Sequence, residues 1–135
     1  MAEVCVIGSN SFSGASFCAS LLTRGIDVLA ISRSAEAHEV FLPYRWCKTN
    51  ARLEFEQIDL NSDLDQLMAL LNRRKPQIIF NFAAQSMVSE SWDKPDDWMR
   101  TNVVTVARLA ERLRHLDFLD RYVHITTPEV YGSTD

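Results

Sequence analysis

Glycine and proline are scarce, with four of each in 135 residues, and cysteine is scarcer at three. The chain carries no low-complexity tract, internal repeat or interdomain linker. Cys5, Cys18 and Cys47 lack C-x-x-C spacing, and an odd count in apolar surroundings suits buried, reduced thiols rather than a disulfide framework. His38, His115 and His124 stand apart from one another, so no metal site is expected; His124 alternates with apolar neighbours and reads as a packed or sheet-surface residue. No basic stripe accompanies the net charge of -4, which removes the electrostatic case for a nucleic-acid partner. No apolar run nears the roughly 18 residues of a membrane span, so no membrane association is expected. Met1-Ala-Glu3 lacks a basic n-region and leads straight into a strand, so a signal peptide is not expected and the location is read as cytoplasmic.

What is present is the composition of one ordinary globular domain, 47% apolar and 24% charged. Its organising stretch is Val4-Cys-Val-Ile-Gly-Ser-Asn-Ser-Phe-Ser-Gly14, followed by the helical run Ala15 to Arg24. An apolar run reaches Gly8, a polar turn follows, and Gly14 opens a helix. That layout suits a strand whose turn offers backbone N–H groups, at a helix N-terminus, to a dinucleotide pyrophosphate. The spacing fits G-x-x-G-x-x-G with Ser11 at the middle glycine. In this reading Gly8 permits the tight turn, Gly14 permits close helix–strand packing, and Ser9 to Ser13, with Phe12 among them, supply backbone donors. Taken alone, the loop also fits a small-residue turn with no ligand.

Downstream, Phe17, Cys18, Leu21 and Leu22 repeat at helical spacing up to Arg24-Gly25, where glycine is expected to end the helix. Asp27 to Ser32 is an apolar run of strand length. Residues 33–52 read as an irregular crossover with an aromatic turn around Pro43. Leu53 to Ile58 alternates as an outer strand, and Asn61-Ser62-Asp63 is expected to cap a helix carrying Leu64, Leu67, Met68, Leu70 and Leu71. That helix ends at Arg73-Arg-Lys75 before Pro76. Gln77 to Phe82 is a further buried strand. Pro95 to His115 is the longest helical pattern, with Trp98, Val103, Val104, Val106, Leu109 and Leu113 as its apolar contacts, and Tyr122 to Thr126 is the last strand.

This alternation predicts an α/β fold: a Rossmann-like, doubly wound parallel sheet of about five strands in the order 3-2-1-4-5. Ligands bind such sheets beyond the carboxyl ends of the strands. Gly8, Ser32, Asp59, Ala83 to Ser86 and Thr126 to Glu129 all follow strands, so they are expected to collect along one rim.

Four motifs, Gly8-Ser-Asn-Ser-Phe-Ser-Gly14, Asn81-Phe-Ala-Ala-Gln-Ser86, Thr101-Asn-Val103 and Thr126-Thr-Pro-Glu-Val-Tyr-Gly132, fall in the order and spacing of one family. The chain resembles the extended short-chain dehydrogenases, the NAD(P)-dependent epimerases and dehydratases acting on nucleotide sugars. The resemblance runs along essentially the whole chain and covers the first part of the family's length. It implies an incomplete NAD(P)-binding domain over residues 1–135. It also implies that Asp59 and Leu60 contact the adenine ring, that Ala83, Ala84 and Gln85 pass under the nicotinamide ribose, and that Asn102 supports the active-site backbone. At the end of the second strand a carboxylate would accept from the ribose 2′-OH; the chain has Ser32-Arg33-Ser34 instead, which favours NADP over NAD. A solvated Arg33 without a ligand role stays open.

The resemblance further implies that Thr127 hydrogen-bonds the sugar 4-OH and that Glu129, as in dehydratases and decarboxylases, removes the C5 proton next to a C4 ketone. An exposed turn carboxylate is the plain alternative for Glu129. Pro128 replaces an aspartate that acts as general acid in some 4,6-dehydratases. The family's tyrosine–lysine pair is expected beyond this chain, because the position four after Tyr131 is Asp135. The chain is therefore read as the NAD(P)-binding portion of a nucleotide-sugar 4,6-dehydratase, a lyase, and as inactive by itself. An epimerase, a decarboxylase of a nucleotide-linked uronic acid and a non-catalytic dinucleotide-binding or interaction module stay as alternatives; Ser11 and Pro128 motivate the last. The last strand is expected to leave an unpaired edge, and the Pro95–His115 helix matches the family's dimer-forming element, so a homodimer is expected.

Overall fold

The computed structural model describes residues 3–133; the leader reading at Met1–Ala2 and the position Asp135 lie outside the described residues. Five parallel strands, β1 (Val4–Ile7), β2 (Val28–Ser32), β3 (Leu53–Gln57), β4 (Ile78–Asn81) and β5 (Arg121–His124), form one sheet in the order β3-β2-β1-β4-β5. This is the expected order. Every residue of β1 and β2 is buried, as central strands covered on both faces require.

Strand pleating divides the core in two. Cys5, Ile7, Leu29, Ile31 and Ile79 face α2 (Leu64–Arg74) and α5 (Thr105–Leu113), where Leu67, Leu71, Leu109 and Leu113 meet them. Val4, Val6, Val28 and Ala30 point the other way, onto α1 (Phe12–Thr23), Leu42 and Tyr44. Phe17 of α1 packs 4.5 Å from the Phe80 ring and 5.4 Å from Phe82.

Helix ends follow local chemistry. Ser11 is the N-cap of α1, its hydroxyl accepting the Gly14 N–H at 3.0 Å. At the other end Gly25, at φ 76°, lets its own N–H reach Leu22 O (2.9 Å) while the Ile26 N–H reaches Leu21 O (3.1 Å). The crossover is irregular as expected, with single turns at Glu39–Phe41 and Pro43–Trp46, and it is tied by Glu36, which accepts from Tyr44 Oη at 3.0 Å and Arg45 Nε at 2.9 Å. Burial and the Glu36 bond together push the Tyr44 phenol up.

Three expectations are corrected. Asp63 occupies the N-cap position of α2 without capping it; its carboxylate accepts the Asp59 N–H at 3.1 Å, and Asn61 turns to another helix altogether. Pro95 to His115 is not one α-helix: α4 (Pro95–Met99) passes through a wide π turn (Arg100–Val104) into α5, and a short helix α3 (Val88–Asp93) precedes it. Of its expected apolar contacts Leu109 and Leu113 are buried, whereas Val103 and Val104 are 51% and 43% exposed. Strand β5 ends at His124, so Thr126 stands past it rather than inside it.

The thiols are free, with Cys5 and Cys18 buried and Cys47 half-buried. Burial pushes Cys18 up to about 12 and Cys5 higher still, the latter helped by the charge of Glu3. Because the thiolate is the reactive form, a thiol-modifying reagent at pH 8 is expected to label Cys47 rapidly and Cys5 and Cys18 only when denaturant is added. Fast labelling of all three in the native protein contradicts this packing.

Candidate active site

The carboxyl ends of the strands open into one cleft. Its narrow part is a cavity of about 250 Å³ lined by Gly8, Ser11, Ser32, Arg33, Ser34, Asp59, Leu60, Ala83 and Ala84 together with Asn10, Asn61 and Thr101. Ser11, Ala83 and Ala84 also line a wider groove of about 760 Å³ that holds Phe12, Ser13, Gln85, Asn102, Thr126, Thr127 and Glu129. Every residue expected at the site from the sequence lies in one or both parts except Gly14, which sits behind the loop, and Ser9, which is buried.

The two glycines shape the near wall. Gly8 is at φ +84°, and a Cβ there would lie 2.7 Å from the Ala83 nitrogen and 2.8 Å from the Phe82 carbonyl carbon. A Cβ on Gly14 would lie 2.2 Å from the Gly8 oxygen. Backbone therefore packs on backbone, and the α1 N-terminus is drawn against the end of β1. The donor set is smaller than expected. The N–H of Ser9 is spent on Ile31 O (3.1 Å), and that of Ser11 on Gly8 O (3.0 Å). Among the described residues, the N–H groups of Asn10, Phe12 and Ser13 have no acceptor, and these stand at the helix N-terminus where an anion is favoured. Ser11 folds inward, its hydroxyl donating to Gly8 O at 2.7 Å, and so braces the loop.

Asn10 holds the far wall. Its Nδ2 donates to Ala35 O (2.8 Å) and to Ser34 Oγ (3.2 Å), fixing the turn that follows β2, while its Oδ1 is buried without a partner. Arg33 has no carboxylate partner among the described residues. Asp59 accepts the Asn61 N–H at 2.9 Å, which closes the turn after β3.

Asn81, a polar residue 0% exposed in an apolar strand, organises the far rim. Its Oδ1 accepts the Ala83 N–H (2.9 Å), so its Nδ2 faces the Tyr122 hydroxyl (3.0 Å). Tyr122 Oη is in turn 3.1 Å from His124 Nδ1. The imidazole tautomer sets which of the two donates. Burial pushes the Tyr122 phenol up, against the Asn81 bond, which keeps it protonated. Asn102 makes a reciprocal pair with Gln85, accepting its N–H and donating to its C=O, both at 2.9 Å. Thr127 and Glu129 are exposed in the groove, on the turn Pro128–Tyr131.

Asn10, Asn61, Asn81 and Thr105 were not singled out as site residues by the sequence. The polar Asn81 inside Gln77–Phe82 was the available signal, since a buried amide needs partners. The cradle, with bare glycines, free amides and small residues at Ala83–Ala84, fits a dinucleotide pyrophosphate and the flat rings on either side.

The family model described as GDP-mannose 4,6 dehydratase matches residues 5–135. A dTDP-glucose 4,6-dehydratase of Xanthomonas campestris pv. campestris (strain B100) is 30% identical over 98% of this chain and 40% of its own length. A dTDP-6-deoxy-L-talose 4-dehydrogenase (NAD(P)(+)) of Kitasatospora kifunensis is 35% identical over 97% of this chain and 37% of its own. Among solved structures, MoeE5 in complex with UDP-glucose and NAD superposes with a TM-score of 0.78 at 28% identity, covering 98% of this chain and 39% of that one. The chain thus spans about 40% of the length of the curated relatives it matches.

Alanine at Gly8 must adopt positive φ and displace the Ala83 backbone. Gly8→Ala is expected to cost roughly 1–3 kcal/mol of stability from the backbone strain alone. Urea denaturation measures this; a variant as stable as the wild type contradicts the close approach.

Proposed function

The chain belongs to the GDP-mannose 4,6 dehydratase family of extended short-chain dehydrogenases, and from that premise we propose that it is the NAD(P)-binding portion of a nucleotide-sugar 4,6-dehydratase. The observation that carries the reading is the placement of Thr127 and Glu129 in one groove with Ala83, Ala84 and Gln85, continuous with the glycine cradle. Asn10, Phe12 and Ser13 offer their N–H groups to the pyrophosphate. Asp59 and Leu60 take the adenine end, and Ala83 to Gln85 the nicotinamide end, where Asn81 holds the Ala83 N–H and Asn102 the Gln85 backbone.

A bound nicotinamide dinucleotide supplies a hydride acceptor and donor for transient oxidation of a sugar carbon. Thr127 holds the sugar 4-OH by its hydroxyl, and the proton that oxygen loses on oxidation passes to solvent or another side chain. Once C4 is a ketone, the C5 proton is acidic and Glu129 takes it as general base. Water is then lost across C5–C6 as the C6 hydroxyl departs, and return of the hydride to C6 with the Glu129 proton going back to C5 would complete the 4-keto-6-deoxy product. Pro128 has no proton to give, so that hydroxyl receives its proton from solvent or another side chain.

Ser32, Arg33 and Ser34 supply no carboxylate against a 2′-phosphate, and Arg33 is free to pair with it, which supports NADP as the preferred cofactor. The exposed apolar side chains Trp92, Met99, Val103 and Val104, along α3, α4 and the π turn, support a homodimer through that stretch.

In the intact protein that carries this chain, incubation with nucleotide sugars is expected to yield a 4-keto-6-deoxy product, read by mass spectrometry. Release of carbon dioxide or of a C4 epimer alone refutes the dehydratase. Glu129→Gln is expected to lower kcat by about a hundredfold or more with little change in cofactor affinity, the usual weight of a general base. Titration with both cofactors is expected to favour NADP, and Arg33→Ala to erase that preference; an unchanged ratio contradicts the role of Arg33.

A further inference from the structure

The turn Arg100–Val104 is where the rod from α4 to α5 leaves α-helical spacing, and it reaches two separate loops. Toward the loop after β3, Asn61 Nδ2 donates to Thr101 Oγ1 at 3.1 Å, and Thr105 Oγ1 donates to Asn61 Oδ1 at 2.6 Å. The Asn61 carboxamide is therefore held at both ends. Toward the loop after β4, Asn102 holds the Gln85 backbone through two 2.9 Å bonds. Thr105 is 2% exposed, so its hydroxyl has no water to replace Asn61. A wide turn shifts the helical phase, which lets neighbouring side chains at 101 and 102 serve different loops; such turns recur at functional sites.

We propose that the π turn is a strut that sets the spacing between the two ends of the cleft. In this arrangement Asn61, Thr101 and Thr105 are positioning residues that act on the Gln85 backbone through Asn102. The meaning of that spacing rests on the dinucleotide reading above. A dinucleotide bridges both ends and gains from finding them fixed in advance, whereas 5′-AMP occupies only the end at Asp59 and Leu60. Thr105 lines neither part of the cleft, so its effect on a ligand must travel through the strut.

The test compares intact wild-type protein with Thr105→Val, Thr105→Ser and Thr101→Val. Without ligand, Thr105→Val is expected to speed amide hydrogen exchange at Gln85 about fivefold, the weight of one such hydrogen bond. Central-strand amides such as Val6 stay unchanged, and Thr105→Ser, which keeps the hydroxyl, restores the wild-type rate. With ligand, Thr105→Val is expected to weaken NADP by about the same factor and 5′-AMP, which occupies one end only, by clearly less. Unchanged Gln85 exchange in folded Thr105→Val overturns the strut, as does equal weakening of NADP and 5′-AMP. If Thr105→Val does not fold, Thr101→Val on the less buried flank carries the same exchange prediction and the same refutation. Wild type that binds neither ligand refutes the dinucleotide reading alone, and the exchange arm still decides the strut.

Discussion

Contact of backbone on backbone at the end of β1 governs this fold's working face. Gly8 lies against the first residues after β4, and Gly14 against Gly8 itself, at separations that leave no room for a Cβ. Those contacts draw the N-terminus of α1 over the sheet rim beside Ala83. They bring three free N–H groups, the turn after β2 and the small residues after β4 to one place. The sheet order makes this possible: β1 lies between β2 and β4, so the chain leaves β1 at the point where the two halves of the sheet diverge.

Around that point a framework of asparagines does what the glycines cannot. Asn10 fixes the turn after β2, Asn61 links the turn after β3 to the π turn, Asn81 secures the start of the segment after β4, and Asn102 secures its end. Each carboxamide satisfies a donor and an acceptor in one planar group, which suits the clamping of backbone turns that have no ladder partners. The exception is the buried Asn10 oxygen, unpaired in the wall of the narrow cavity. The cleft is thus braced from behind while its rim at Thr127 and Glu129 stays open.

The fold was legible because its signals are local and repeated. Buried apolar runs alternate with helical periodicity, and parallel sheets of this kind permit few strand orders. The convergence of the residues that follow the strands on one rim was legible for the same reason. Long-range polar pairing was not legible. Asn61 next to Asp63 looked like helix-cap text, yet its partners are 40 and 44 residues away. The π turn was hidden as well: residues 95–115 carry helical spacing, and the widening at Arg100–Val104 goes with tertiary bonds of Thr101 and Asn102 that no local pattern records. Val103 and Val104 lie in that turn and are exposed.

The central claim is that the turn after Gly8 holds the pyrophosphate while the segment after β4 lies under the nicotinamide end. Amide chemical-shift mapping of the intact protein during titration with NADP tests it most directly. The largest shifts are expected on Asn10, Phe12 and Ser13 and on Ala83 to Gln85, with the amides of Val4 and Val28, at the amino ends of β1 and β2, unmoved. Saturable binding that leaves the Asn10–Ser13 amides in place, or shifts concentrated at those amino ends, would contradict it.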